Sequence, residues 1–406
     1  MEEYLRIGTS YYKKVRKPQL FGATQTTIIS WTRQAILDDY GKDYLLDVER
    51  YEGFITIPSH TNYQQVVDGF YNKYHKLSHK LKNGNNECPN ITYKFLQHIF
   101  GDQLSIGLDY LTILWRFPTQ ILPILCLVSE DRSTGKTTFL NWLSLIYQEN
   151  LTLNTNEDFR NKFNSDWADK LLICIDEVLL DKREDSERLK NLSTSKTNKV
   201  EAKGKDKYQA DFFSKFILCS NNEHNFILID EKEIRYWVRK IKPLNNIEPD
   251  FFEKLEKELP IFLNYLSSRD IVSQKKSRMW FTPNQIYTEA LGILKRGTKR
   301  NIENELLETL ADMFYKFEVD TICLTSKDIQ DIFNSSGHRI SKQQISQIVE
   351  IKWKLEKTNS SYKSHYISRD ANGESQIYSE TQKGRYYSFD KSYINSLLNV
   401  EHTVSN

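Results

Sequence analysis

Leu125-Cys-Leu-Val-Ser-Glu-Asp-Arg-Ser-Thr-Gly-Lys-Thr-Thr-Phe-Leu140 is the stretch on which the fold of this chain turns. Its first residues end an apolar run that begins at Ile121, and Thr138 to Ile146 carry the spacing of an amphipathic helix. The order is therefore strand, turn, helix, with Gly135-Lys136-Thr137 at the turn. A phosphate-binding loop of the pattern G-x-x-x-x-G-K-[ST] needs that context. Successive backbone N–H groups face the anion, lysine adds charge, and the hydroxyl binds magnesium beside the positive end of the helix. The first glycine of the pattern is absent here. Glu130 stands in its place and is expected to point away from the phosphates.

Two more apolar runs lie downstream. Leu171-Leu-Ile-Cys-Ile175 ends in Asp176-Glu177, and Phe216-Ile-Leu-Cys219 ends in Ser220-Asn221-Asn222. Each has the length of a strand buried on both faces, and such runs alternating with helical patterns predict an α/β core with a mainly parallel sheet. Two carboxylates directly after a buried strand are costly unless they serve a site at its C-terminal edge. There Asp176 would hold a magnesium shell and Glu177 would polarise water. Asp-Glu also serves as plain solubilising punctuation. Asn221 would place an uncharged amide near the terminal phosphate, although asparagine is equally a common turn residue at strand ends.

The rest of the composition narrows the class. With 406 residues, 39% of them apolar, the chain has the length of two or three soluble domains. The run from Ile121 to Val128 is too short to cross a bilayer, and Met1-Glu2-Glu3 lacks the features of a signal peptide, so a cytoplasmic protein without membrane contact is expected. Cys88, Cys126, Cys174, Cys219 and Cys323 are scattered, which argues against zinc and disulfides. The net charge of +2 makes no case for nucleic-acid binding by itself, but basic residues gather at Lys196–Lys207, Lys275–Arg300 and Arg339–Lys363. Any of these clusters could equally be a solvated surface.

Taken together, Ser129–Phe139, Leu172–Glu177, Val200-Glu-Ala-Lys-Gly-Lys205, Leu218–Asn222 and Glu233-Ile-Arg-Tyr-Trp-Val-Arg239 resemble the superfamily 3 helicases of the AAA+ class, and among them the helicase part of phage and plasmid primase-helicases. The resemblance implies an ATP- and magnesium-dependent DNA helicase. Ser133, Thr134, Gly135, Lys136, Thr137 and Thr138 would bind the nucleotide, Thr137 and Asp176 the metal, and Glu177 and Asn221 would act on the attacking water. Arg235 would reach the neighbouring subunit's γ-phosphate, with Arg239 the weaker choice, so the active form would be a homo-oligomer, in this family a hexameric ring. Lys199, Lys203 and Lys205 lie where the family carries a hairpin for single-stranded or forked DNA, with Gly204 at the turn. A separate primase is an implied partner, because no primase centre is recognisable.

Four regions are expected: an accessory region over 1–101, the P-loop AAA+ core over 102–245, a helical extension over 246–300, and a winged-helix-like unit over 301–406. The last rests on helical patterns at Ile302–Phe317, Ser326–Phe333 and Ser341–Ile351 followed by two Tyr/Thr-rich segments. Two other functions fit the same residues: a non-unwinding AAA+ ATPase such as an initiator or loading factor, and a DNA-binding adaptor with a degenerate nucleotide site.

Overall fold

The computed structural model describes residues 3–18, 24–82, 87–204, 206–244, 248–335, 340–369 and 375–404. Lys205 and Arg339 lie outside them. The chain opens with β1 (Tyr4–Ile7), β2 (Ser10–Pro18), β3 (Thr24–Trp31), α1 (Arg33–Tyr40), α2 (Tyr44–Asp47) and β4 (Glu49–Tyr51). Its strands form a sheet of order β3-β2-β1-β4, and β5 (Phe54–Ile55), β6 (Val66–Val67) and β7 (Phe70–Asn72) form a second, small one. Helices α3 (Asn90–Phe100) and α4 (Leu104–Arg116) follow.

The centre of the molecule is a five-stranded sheet. Its members are β8 (Ile124–Val128), β9 (Leu151–Asn154), β10 (Leu172–Ile175), β13 (Lys215–Ser220) and β14 (Tyr236–Lys240). Between them run α5 (Lys136–Tyr147), α6 (Asn156–Arg160), α7 (Arg183–Leu192) and the hairpin of β11 (Thr197–Val200) with β12 (Tyr208–Asp211). The order is β14-β8-β13-β10-β9 and every pairing is parallel.

All residues of β8, β10 and β13 are buried, and successive side chains alternate between two cores. Leu125, Leu127, Cys174, Ile217, Cys219 and Trp237 pack against α3, α4, α5 and α8 (Phe251–Ser268). Ile124, Cys126, Val128, Ile173, Ile175 and Leu218 face Phe159, Trp167 and Leu189 on the other side. Burial on both faces is why these strands read as unbroken apolar runs.

After α8 come α9 (Pro283–Ile286) and α10 (Glu289–Phe317). Helix α10 crosses the boundary expected at 300/301 without a break. Its Ala290, Leu291 and Leu294 belong to the second core, whereas Leu306, Leu307, Leu310 and Phe314 belong to the core of the C-terminal unit. That unit adds β15 (Thr321–Leu324), α11 (Ser326–Ser335), α12 (Lys342–Ser346, continued by a π-helical turn over Gln347–Lys352), β16 (Thr358–Arg369), β17 (Ser375–Asp390) and α13 (Lys391–Val404). Its strands pair antiparallel in the order β15-β17-β16. The chain is thus mixed α/β with a parallel sheet. No helix among the described residues is long and apolar enough to cross a membrane.

Candidate functional site

The parallel order brings the ends of β8, β13 and β10 side by side, because Val128 is paired with Ser220 and Ile175 with Leu218. The segment Ser129–Gly135, Asn221 and Asp176-Glu177 therefore leave the same edge of the sheet. C-terminal strand edges are where open α/β sheets collect ligand-binding residues.

The loop after β8 turns through two left-handed residues, Ser133 (φ 55°) and Gly135 (φ 87°), and Gly135 is the residue from which α5 starts. Glycine adopts that conformation without strain, whereas serine does so at a cost that recurs in binding loops. Backbone and side-chain hydrogen bonds hold the loop. The Ser129 hydroxyl accepts from the Asp131 amide at 3.1 Å, the Glu130 amide donates to Glu223 at 3.3 Å, the Leu244 amide donates to the Ser133 carbonyl at 3.1 Å, and His98 Nε2 bonds the Thr134 carbonyl at 2.9 Å. The amides of Arg132, Ser133, Thr134 and Gly135 find no acceptor among the described residues. A run of free amides around a left-handed turn at a helix start is an anion cradle.

Lys136 is 6% exposed, and its ammonium donates to the Ser129 carbonyl and the Thr134 hydroxyl, each at 3.2 Å. Burial pushes its pKa below the ordinary lysine value, while the field of Cys219, Asp176 and Glu223 pulls it back up. A buried ammonium held only by neutral oxygens is stabilised by an incoming polyanion. Thr137 donates its hydroxyl to Asp176 at 2.8 Å, so the two groups expected to share a metal already touch. Among the described residues no cluster of three or more His, Cys, Asp or Glu could hold a metal ion. Magnesium is ordinarily held by one or two carboxylates together with phosphate oxygens and water, a demand that Thr137 and Asp176 fit.

Glu177 is exposed, and its backbone is left-handed at φ 54°. Asn156 reaches across to fix that turn, bonding the Glu177 carbonyl at 3.3 Å and accepting the Leu179 amide at 2.9 Å. Of the two asparagines after β13, Asn222 is committed. Its side chain bonds Asn225 and accepts the amides of His224 at 2.9 Å and Asn225 at 3.1 Å. Asn221 is exposed and makes none of these bonds. Ser133 and Thr137 are exposed, Thr138 is half-buried and Thr134 is 3% exposed. The Glu130 carboxylate is exposed, 3.4 Å from His224 Nε2.

The remaining expected residues lie elsewhere. Arg235 precedes β14 at its N-terminal end, where its carbonyl accepts from the Ile124 amide at 2.9 Å. It is separated from the loop edge by the length of the strand, roughly 15 Å at about 3.3 Å per residue. Its guanidinium bonds both oxygens of Glu233, at 2.8 and 2.9 Å. Arg239 is 9% exposed and paired with Asp102 at 2.8 Å. Lys199 stands on β11 and Lys203 at the hairpin turn beside Gly204 (φ 73°), both exposed. In the C-terminal unit Lys352 is paired with Glu303 and Lys357 with Glu350, while Lys342, Lys354 and Lys363 are exposed.

Sequence reasoning passed over Glu223 and His98. Glu223 is 3% exposed, pairs with Lys240 at 2.7 Å and receives the Glu130 amide, so it ties the loop to β14. His98 belongs to α3, far away in sequence, and no local pattern marks it.

Residues 127–239, the span from β8 to β14, match the model described as "Family of unknown function (DUF5906)". No curated protein matches the chain. Solved apo structures of the C-terminal region of NrS-1 (residues 305–718) are similar along almost the whole length. One superposes with a TM-score of 0.58 at 15% identity, covering 95% of each chain. Two others, described as A forms, give 0.55 at 14% and 0.56 at 13% identity, each covering 95% of this chain and 96% of the other. At such identity the likeness shows a shared fold.

Proposed function

We propose that this protein is an ATP-hydrolysing DNA helicase of the superfamily 3, AAA+ type, acting as a ring in replication of a phage, plasmid or integrated mobile element. The observation that carries the reading is the contact between Thr137 and Asp176 beside the buried Lys136, at the edge where Asn221 also emerges. The order β14-β8-β13-β10-β9 supports it, because the strand ending in Asn221 is inserted between the loop strand and the acidic strand. Helices and a long β16–β17 hairpin in the C-terminal unit support a winged helix.

In this reading the free amides of Arg132–Gly135 and the Lys136 ammonium hold the β- and γ-phosphates of ATP. Thr137 and Asp176 hold magnesium, which when bound supplies charge neutralisation at the phosphates. Glu177 accepts a proton from water, and Asn221 orients that water without adding charge. Arg235 cannot reach its own chain's site and serves a neighbour's. The exposed Lys199 and Lys203 contact phosphates of a single strand.

The test is phosphate release and forked-DNA unwinding with ATP and magnesium, for the wild type and for Lys136→Ala. Loss of both activities in the variant is expected. Turnover without strand displacement would leave a non-unwinding ATPase, and no turnover in the wild type would leave a DNA-binding adaptor.

A further inference from the structure

At the opposite edge of the sheet from the nucleotide loop lies a groove of about 750 Å³. Its walls come from the turn after α4, the flanks of the β11–β12 hairpin and the segment Lys275–Trp280. We propose that this groove is a docking platform for single-stranded DNA. The proposal deepens the helicase reading by giving the strand a second contact surface beyond the hairpin lysines.

The floor is aromatic. Phe117 and Trp280 lie nearly parallel, 18° apart with centroids at 6.5 Å, and Phe117 is 42% exposed. Trp280 is held in a left-handed conformation (φ 72°), which is unfavourable for a bulky side chain and persists only where surrounding bonds impose it. Those bonds are present. The Lys276 amide donates to the Trp280 carbonyl at 3.0 Å, the Trp280 amide to Ser277 at 3.1 Å, and the indole N–H to the Ser273 hydroxyl at 3.0 Å. Gln120 donates to the Arg278 carbonyl at 2.8 Å and so fastens this turn to the one bearing Phe117. Trp280 is half-buried, with one side packed against the core of the α3, α4 and α8 layer, and Phe117 stands exposed beside it.

The rim is basic. Lys196, Lys275 and Arg278 line the groove, each exposed and without a carboxylate partner among the described residues, against one lining carboxylate, Asp211. Arg116 lies over the Phe117 ring at 5.4 Å. Aromatic faces ringed by unpaired cations suit unpaired bases with their phosphates, and duplex DNA offers no free base face to stack. Lys196 directly precedes β11, so a strand touching Lys199 and Lys203 on the hairpin would pass this platform.

The experiment measures anisotropy of labelled oligonucleotides of about 15 residues on the full chain without nucleotide. DNA and RNA of one sequence are run side by side, with the duplex as a third arm. Phe117→Ala should weaken single-strand binding at least fivefold, and Lys275→Glu with Arg278→Glu should weaken it and flatten its salt dependence. Melting temperatures check that the exposed substitutions leave the fold intact. DNA should bind at least as tightly as RNA, and a clear preference for RNA overturns the assignment. Wild-type affinity in both variants, or equal losses on the duplex, overturns the platform. Because binding is read without ATP, a chain that hydrolyses nothing yet loses the strand on Phe117→Ala keeps the platform and loses the motor. A chain that unwinds DNA but ignores Phe117 does the reverse.

Discussion

Gly297 of α10 lies against the backbone of His224, so close that a methyl group on its Cα would come within 1.9 Å of the His224 carbonyl oxygen. The helix that leads into the C-terminal unit is thereby seated on the loop that follows Asn221. The Thr298 hydroxyl adds a second tie by accepting the Ile229 amide at 3.2 Å.

Gly297→Ala should therefore destabilise the protein, although glycine to alanine inside a helix ordinarily stabilises it by about 1 kcal/mol. Relief of the clash requires moving backbone, and overpacking of this kind costs about 1–3 kcal/mol. Gly292→Ala is the control, since an added methyl there meets only the ends of the Tyr287 and Arg296 side chains at 3.0 and 3.4 Å and one more distant carboxylate. Thermal unfolding of the two variants should move in different directions or at least by different amounts. A stabilised Gly297→Ala would show that the close approach is relaxed in solution.

Asn221 and Asn222 should separate function from structure. Asn222→Ala removes the acceptor of two loop amides and should lower the melting temperature, at a cost of about 1–3 kcal/mol. Asn221→Ala should leave the melting temperature where it is and lower ATP turnover by about 100–1,000-fold, the range seen when a transition-state donor is removed. Turnover and melting measured on both variants decide it. Equal turnover in Asn221→Ala and the wild type would remove Asn221 from the site.

The difference between what the sequence disclosed and what it hid has physical causes. Leu125–Val128, Leu172–Ile175 and Phe216–Cys219 were legible because burial on both faces leaves no polar residue to interrupt them. The fifth strand, Tyr236–Lys240, was read as a motif rather than a strand, since Arg239 and Lys240 break its apolar pattern. Arg239 is tolerated there because Asp102 and Gln103 bond it from the segment between α3 and α4. The N-terminal sheet gave no signal, because its long strand β2 is nowhere fully buried. That Lys136, Asp176 and Asn221 gather at one edge of the sheet is legible from their order after strands, whereas Glu223 and His98 join that edge through contacts between distant segments.

Stability should rise with pH across two windows. Burial leaves His60 with a pKa lowered to about 4 from an ordinary 6.5, against the opposite pull of its hydrogen bond with the Trp115 carbonyl, and burial takes Lys215 down to about 7 from 10.5. In each case the unfolded chain binds more protons between the two values, so stability increases with pH from about 4 to 6.5 and from about 7 to 10.5. Lys215 is 4% exposed and its ammonium is held by the carbonyls of Pro118 and Phe213. Lys215→Met should flatten the upper window and leave the lower one. Melting temperatures at a series of pH values test this, and an unchanged upper slope would show that Lys215 is not its source.

Arg235 gives the test of assembly. Its place at the start of β14 keeps it from its own chain's loop, and its present partner is Glu233. If it completes a neighbour's site, Lys136→Ala and Arg235→Ala subunits are each inactive for opposite reasons. The first lacks a working site but still offers an arginine, and the second has a site but offers none. Mixed in equal amounts in a head-to-tail ring, roughly a quarter of the interfaces would join an intact site to an intact arginine, so ATP turnover should reappear on mixing. Should Arg235 serve only to fix Glu233 within its own chain, the mixture would stay as inactive as its parts or Arg235→Ala would be active alone. Either result would take the arginine out of the neighbouring site, because a structural ion pair has no means of acting across subunits.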